Sequence, residues 1–198
     1  NFHRRGPEWE LPVHVELFES DGSVAIAQDA GMRISGNWAR EYHQKSLRIH
    51  ARSRYGDDDF DYRLFPDRKP KRYRSFLLRT ASSDVRWGMI RDAMIQELSG
   101  HLGFDTQACR PVIVFLNGDY WGIQFLRERY DEDYLEGRYG VDPDEVDLIE
   151  IDGGVHVDAG DATHYDSMMN YLQTNSMLSQ TAYDYISTYM DVKNFARY

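Results

Sequence analysis

Residues 110–130 read RPVIVFLNGDYWGIQFLRERY, and this stretch carries the clearest structural signal in the chain. Asn117-Gly118 is the preferred pair for a two-residue type I′ turn, in which both central residues have positive φ. Apolar runs rich in β-branched residues, Val112–Leu116 and Ile123–Leu126, flank the pair. The stretch therefore predicts an antiparallel β-hairpin. Because the runs show little alternation, we expect both faces of the hairpin to be covered.

Further strands are predicted upstream of the hairpin. The runs with strand-like composition are Val13–Glu19, Val24–Gln28, Gly31–Ile34, Lys45–Ala51 and Ser75–Arg79. In the fourth run, apolar Leu47, Ile49 and Ala51 alternate with Ser46, Arg48 and His50, as in a strand with one buried face. The segment from Tyr55 to Arg74 is irregular and strongly charged, which predicts an exposed excursion rather than a separate domain.

A helix is predicted between the last upstream strand and the hairpin. Ser82, Ser83 and Asp84 are suitable N-caps, and the helix should run to about Leu102. Its apolar residues recur every three or four positions, at Trp87, Ile90, Met94, Leu98 and Leu102. This stripe should pack against the hairpin, with Met94 and Leu98 on one face of the sheet.

The chain after the hairpin reads mainly as helical. Helices are predicted at Glu132–Tyr139, Asp166–Thr174 and Thr181–Tyr198, and a short strand at Asp147–Ile151. No apolar run is long enough to span a bilayer, and no signal peptide is present. The single cysteine, Cys109, excludes an internal disulfide and reads as a buried structural thiol.

Charge is unevenly distributed along a chain whose net charge is −10. Residues 33–91 contain 15 Lys and Arg against 7 Asp and Glu, whereas residues 131–166 contain one Arg against 13 acids. The basic region is suited to an anion such as phosphate, although two solvated faces that attract each other would have the same composition. Zinc-finger, helix-turn-helix and RNP patterns are lacking, so nucleic-acid binding is not expected.

Three segments resemble the CotH (spore coat protein H) kinase family: GMRISGNWAREYHQKSLRIHAR at 31–52, IRDAMIQELSGHLGFDTQACRPVIVFLNGDYWGIQFLRERYDEDYL at 90–135, and YMDVKNFARY at 189–198. The resemblance extends from about Val13 to Tyr198. It implies an α+β fold: a protein-kinase-like small lobe with an antiparallel sheet and one helix over residues 1–130, including a hinge. The beginning of a helical large lobe would follow at residues 131–198.

The resemblance also implies an activity. Family members are expected to bind ATP with Mg²⁺ or Mn²⁺ and to phosphorylate protein hydroxyls, here in a secreted or cell-surface bacterial protein. The family's Asp- and Asn-containing metal motif would lie beyond Tyr198. No catalytic or metal-binding residue is therefore assigned within the chain, and these 198 residues should bind ATP weakly and transfer no phosphate. The competing hypothesis is a non-catalytic extracellular or spore-coat module with a degenerate kinase fold.

Lys45 is the principal candidate for phosphate binding, because kinases place a lysine of the third strand on the α- and β-phosphates. A solvated edge lysine would show the same strand pattern. Glu97, off the apolar stripe of the helix, could pair with Lys45 and orient it. Arg91 lies about two turns earlier and is either a cleft residue or part of an exposed charge pair.

Two other groups complete the expected nucleotide site. Gly36 and Arg40 are the residues of the SGNWAR turn that fit a phosphate-binding loop of the family. Arg127 and Glu128 occupy the hinge, where main-chain groups would normally contact an adenine. Their side chains could instead cap the following helix, Asp131–Tyr134.

Two further groups read as structural. Polar residues Asp152, His156, Asp158, Asp161 and His164 could ligate a metal, but they match no fixed ligand spacing and favour a polar loop. The four tryptophans are scattered, with Trp87 and Trp121 on elements expected to face the core, and favour packing over a sugar-binding platform.

Overall fold

The computed structural model describes residues 2–198, which fold as α+β with a curled six-stranded antiparallel sheet and few helices. The strands of this sheet are β1 (Leu11–Phe18), β2 (Val24–Ser35), β3 (Ser46–His50), β4 (Ser75–Arg79), β5 (Cys109–Leu116) and β6 (Asp119–Arg127). Their order is β1-β2-β3-β4-β6-β5, so β1 and β5 are the edge strands. A small hairpin, β7 (Leu148–Ile151) and β8 (Val155–Ala159), stands apart from the sheet.

The helices are short. They are α1 (Arg91–Ser99), α2 (Glu132–Tyr139), α3 (Thr163–Thr174), α4 (Gln180–Ile186) and α5 (Val192–Arg197). The predicted C-terminal helix is thus interrupted, because Ser187 to Asp191 form a turn and Asp191 caps α5 anew. None of the helices in residues 2–198 combines the length and apolarity needed to cross a membrane.

The predicted hairpin is confirmed. Strands β5 and β6 pair antiparallel across Asn117 and Gly118, whose φ angles are 51° and 85°. The prediction that both faces are covered is wrong, because Ile113 and Phe115 are 65% and 59% exposed. Val114, between them, points to the core and is buried. The sequence shows no alternation of apolar and polar residues in β5, because the residues that point outward are apolar as well.

The segment from Tyr55 to Arg74 is not an exposed excursion. Its residues Phe60, Leu64 and Phe65 are at most 2% exposed and join the main core cluster with Leu47, Ile49 and Phe76 of the sheet. The Phe60 and Phe76 rings lie 5.0 Å apart, centroid to centroid. Charged residues dominate the composition of the segment, but its few large apolar side chains cover one face of the sheet. We call residues 55–74 the covering segment.

Helix α1 differs most from its prediction. It begins at Arg91 rather than near Asp84, since residues 82–84 form a 3₁₀ turn and Met89 has positive φ. Met94 and Leu98 are 48% and 61% exposed, so they do not pack on the sheet. Trp87, expected to face the core, is also exposed. The covering segment already occupies the apolar face of the sheet, which leaves α1 to approach the other face through polar contacts.

A carboxylate fastens the β1–β2 turn to β5. Glu19 Oε1 accepts hydrogen bonds from Arg110 Nη2 at 2.6 Å and from the Tyr62 hydroxyl at 2.9 Å. The Arg110 hydrogen bond, helped by Tyr62, outweighs burial and lowers the pKa of Glu19 below its ordinary value. Residues distant in sequence are thus joined at one end of the sheet. Cys109, which begins β5, is a free thiol and is half-buried rather than fully buried.

Replacing Leu64 tests the covering segment. Leu64→Ala removes a fully buried side chain and should lower the free energy of unfolding by about 2–5 kcal/mol, measured by urea denaturation. Leu178→Ala is the matched control, because Leu178 is 98% exposed and its loss should change stability by less than about 0.5 kcal/mol. Equal effects from the two substitutions would show that residues 55–74 do not belong to the core.

Replacing Glu19 gives a pH-dependent result. Because its folded pKa lies below the ordinary 4.5, ionised Glu19 adds stability above that pH, and this contribution is lost as the pH falls. Glu19→Gln should therefore lower the unfolding free energy by about 1 kcal/mol at pH 7, and the difference from the parent should shrink on acidification. Tyr62→Phe keeps the carboxylate and should retain the pH dependence. A Glu19→Gln deficit that stays constant down to pH 3 would contradict the assignment.

Candidate functional site

The face of the sheet opposite the covering segment is lined by cationic side chains. In β3, Leu47 and Ile49 enter the core, so the alternating Arg48 and His50 point to the other side. Arg33 of β2 is the direct cross-strand partner of Arg48. We call this surface the cationic face. Like charges at paired positions repel each other, so such a surface requires anions, either from the protein or from a ligand.

One such anion is Asp131, at the end of the hinge that follows β6. Its Oδ2 lies 3.6 Å from Arg48 Nη2 and 3.7 Å from Arg129 Nη1, and it accepts a hydrogen bond from Ser75. Its Oδ1 accepts the Tyr134 backbone N–H at 3.0 Å and caps α2. Asp131 therefore connects the cationic face to the first helix after the sheet.

Burial shifts the pKa values of this pair. It raises the pKa of Asp131, although the Tyr134 hydrogen bond and the arginines oppose the change. It also lowers the pKa of Arg48 to about 9, with the positive charge of Arg129 adding to the effect. Both shifts follow from burial of a charged group, and such shifts are common at functional sites.

A second anion is Glu10, whose side chain is completely buried. Its oxygens accept hydrogen bonds from Arg52 Nε at 2.9 Å and Arg54 Nη2 at 2.5 Å, and one lies 3.3 Å from Arg33 Nε. Burial alone would raise the pKa of Glu10, but the hydrogen bonds from Arg52 and Arg54 and the charge of Arg33 hold it below its ordinary value. One carboxylate therefore faces three guanidinium groups.

Two neighbours shape the Glu10 site. Gly31 lies directly against the carboxylate, and a Cβ there would overlap Glu10 Oε1 and approach the Tyr55 ring to 2.7 Å. His50 Nε2 lies 2.9 Å from Arg33 Nη2. Burial and the charge of Arg48 lower the pKa of His50 to about 2. His50 is therefore neutral at physiological pH and can accept a hydrogen bond from Arg33 without adding positive charge.

The hinge itself contains buried charges. Arg127 is 2% exposed and pairs with Asp92 of α1, which also lies 3.3 Å from Arg79 Nε. Glu128 accepts the Ala108 backbone N–H at 2.7 Å and lies 3.3 Å from Arg68 Nε. Burial raises the pKa of Glu128 despite these contacts.

A cavity of about 420 Å³ opens beside these hinge residues. One wall is formed by residues 67–75, where the covering segment returns to β4, and the other by the hinge and α2, residues 128–139. Asp133 of α2 also has a raised pKa, caused by burial and by the nearby charge of Asp131. The cavity thus collects three carboxyl groups with raised pKa values, together with several arginines.

The sequence-predicted site residues fall into separate groups. At the β2–β3 connection, Arg40 Nε donates to Gly36 O at 2.6 Å, and Lys45 Nζ donates to Arg40 O at 2.6 Å and to Tyr42 O. Arg127 and Glu128 lie together at the hinge. The structure therefore brings together Gly36, Arg40 and Lys45 in one place.

The remaining two predicted residues lie on α1. Arg91 donates to Asp84, at 3.0 Å between Nη2 and Oδ1, and so belongs to a local charge pair. The ion pair predicted between Lys45 and Glu97 is not formed within residues 2–198. The Lys45 ammonium is satisfied by backbone carbonyl groups, and α1 does not dock on the sheet through Met94 and Leu98, so Glu97 remains exposed.

Sequence reasoning did not select the central residues of the cationic face as site residues. The alternation in β3 already placed Arg48 and His50 opposite the core, and this signal was available. Glu10 and Asp131 gave no such signal. Glu10 comes from a segment before the first strand, and Asp131 reads as an ordinary helix cap.

The β7–β8 hairpin contacts the β2–β3 connection and the hinge. Asp152 accepts a hydrogen bond from Asn37 in the β2–β3 connection, and Asp158 Oδ2 lies 3.1 Å from Arg129 Nη2 at the hinge. The polar loop that contains these residues in the sequence is thus partly a strand pair. Across residues 2–198, no three His, Cys, Asp or Glu side chains are grouped as a metal site.

Comparison with known proteins identifies one family. A family profile described as CotH kinase protein matches residues 32–198, which include β3 to β8 and all five helices. No curated protein matches the chain. Since the match covers most of the 198 residues, the chain belongs to the CotH kinase family.

Proposed function

We propose that the protein binds the phosphate groups of ATP on the cationic face, as part of phosphoryl transfer to protein hydroxyls. The observation that carries the proposal is a pair of buried donors without partners. Six buried side-chain polar atoms of residues 2–198 make no hydrogen bond: Arg48 Nε, Arg68 Nε, Arg110 Nε, Arg127 Nε, Trp121 Nε1 and Gln124 Oε1. Of these residues, Arg48 and Arg127 lie on the cationic face, in line across β3, β4 and β6 with Leu77 between them. An unpaired buried guanidinium donor is costly, and an anionic ligand oxygen would satisfy it.

The order of elements supports the kinase-like part of the proposal. Along the chain, the strands of the antiparallel sheet are interrupted by one helix, α1, between β4 and β5. A hinge after β6 then leads to α2 and further helices. This is the order of a kinase small lobe followed by the start of a helical lobe. The cavity beside Glu128 lies at that hinge, where a kinase binds the adenine of ATP.

The residues fit a nucleotide better than they fit its metal. Guanidinium groups of Arg48 and Arg127 suit phosphate oxygens, and Gly36, Arg40 and Lys45 lie together in the connection that leads into β3. Because no grouped metal ligands occur in residues 2–198, no step through Mg²⁺ or Mn²⁺ is derived for these residues. What this part of the protein contributes is phosphate binding and charge neutralisation.

Lysine substitutions test the phosphate site. Arg48→Lys and Arg127→Lys keep the charge but remove the planar fork, and each should weaken ATP binding about fivefold or more in calorimetry at low salt. Arg86→Lys, at an exposed arginine between β4 and α1, is the matched control and should bind as the parent does. Affinity should fall as salt is added, because the contacts are electrostatic.

Two measurements, of ATP binding and of phosphoryl transfer, test the proposed function. If the two variants and the control all bind ATP as the parent does, the cationic face is not the phosphate site. A parallel assay with radiolabelled ATP, Mn²⁺ and an acceptor protein measures phosphoryl transfer. Salt-sensitive ATP binding without transfer is the expected result for residues 1–198, whereas Mn²⁺-dependent transfer would contradict the expectation that the catalytic motif lies outside them.

A further inference from the structure

The segment before β1 lies against the candidate phosphate-binding residues. Arg40 Nη1 donates to the backbone carbonyl groups of Phe2, at 2.6 Å, and Arg4, at 3.1 Å. Lys45 Nζ lies 4.1 Å from the centre of the Phe2 ring. Residues 2–10, which we call the N-terminal strap, therefore occupy cationic groups that would otherwise face solvent or a ligand.

Glu10 is the buried end of the strap. Its buried carboxylate meets the guanidinium groups of Arg33, Arg52 and Arg54, which is the arrangement that a phosphate group would take in an arginine cluster. A single negative charge leaves these three cations only partly neutralised. The Arg52 and Arg54 side chains are 39% and 52% exposed, so an anion from solvent can reach the cluster.

The strap is held mainly by side chains. Pairing between β1 and β2 begins at Leu11 and Met32, so the strap precedes the strand ladder. Within residues 2–10, only Glu10 is buried, and Trp9 is half-buried. Releasing the strap would expose the half-buried Trp9 and break the Glu10 ion pairs, together with the hydrogen bonds that Arg40 and Arg5 make.

We propose that the N-terminal strap is an intramolecular competitor for phosphate, with the Glu10 carboxylate occupying an anion site formed by Arg33, Arg52 and Arg54. The proposal rests on the proposed function insofar as the natural competitor is the ATP phosphate chain. A multiply charged phosphate competes well because it can contact several guanidinium groups at once, whereas Glu10 offers one charge. The family match begins at residue 32, so the cations lie within the matched region and Glu10 outside it.

Neutralising Glu10 tests the competition in the full chain. Glu10→Gln preserves the shape of the side chain and removes its charge. Pyrophosphate and ATP should bind Glu10→Gln about tenfold more tightly than the parent in calorimetry at low salt, because a competing charge is gone. Glu8→Gln is the matched control: it removes the same charge from the same strap at an exposed position and should leave the affinity unchanged.

Thermal unfolding gives a second measurement in case Glu10→Gln is poorly folded. Without its carboxylate, the arginine cluster should destabilise the chain, and added pyrophosphate should restore the melting temperature of the variant more than it raises that of the parent. Equal or weaker binding by folded Glu10→Gln would overturn the proposal. A melting temperature that pyrophosphate does not restore would overturn it as well.

The two ligands distinguish this inference from the proposed function. Suppose that Glu10→Gln gains affinity for pyrophosphate, but that neither the variant nor the unsubstituted protein binds ATP. The proposal about the strap is then supported and the proposed nucleotide function is wrong. If the parent binds ATP through Arg48 and Arg127 but Glu10→Gln gains nothing, the nucleotide function stands and the strap fails.

Discussion

Phe60, Leu64 and Phe65 pack on one face of the six-stranded sheet, and this contact determines where the charged side chains of the chain can lie. An antiparallel sheet of this size needs one face buried to be stable, and here a loop segment rather than a helix supplies the cover. Because alternate residues of a strand point to opposite faces, burying Leu47 and Ile49 leaves Arg48 and His50 on the other face. The cationic face is a direct result.

Placing so many guanidinium groups on one surface creates an electrostatic cost that the molecule offsets with a few carboxylates. Glu10 and Asp131 each contact more than one arginine, and each also links separate parts of the chain. Removing one partner of such a buried pair leaves the other charge buried and unpaired. The loss of stability is therefore larger than the stability that the intact pair contributes. These carboxylates therefore connect charge balance on the sheet to the position of the strap and of α2.

Local signals in the sequence were sufficient for elements whose geometry is local. Three elements were predicted in this way: the β5–β6 hairpin from its turn pair, β4 from a short apolar run, and helix α2. The covering segment could not be predicted, because three aromatic or aliphatic side chains among many charges reveal their burial only through distant strands. Helix α1 was mispredicted for the same reason: its apolar stripe was expected to cover a face of the sheet that Phe60 and Leu64 occupy. At the site, the alternation in β3 was sufficient to place Arg48 opposite the core, although Arg48 was not predicted as a site residue. The role of Glu10 depends on a contact with Arg33, more than twenty positions away.

Gly31 shows how the strap constrains the sheet. Glycine is required there because the Glu10 carboxylate, held by three arginines, fills the space that a Cβ would need. The two positions are therefore coupled across 21 residues. In a relative that lacks the carboxylate of Glu10, the space beside Gly31 would be open. Alanine would then fit at this position once the Tyr55 ring moves aside. Substitutions at the two sites would then have non-additive effects on stability, and the pair would vary together over evolutionary time.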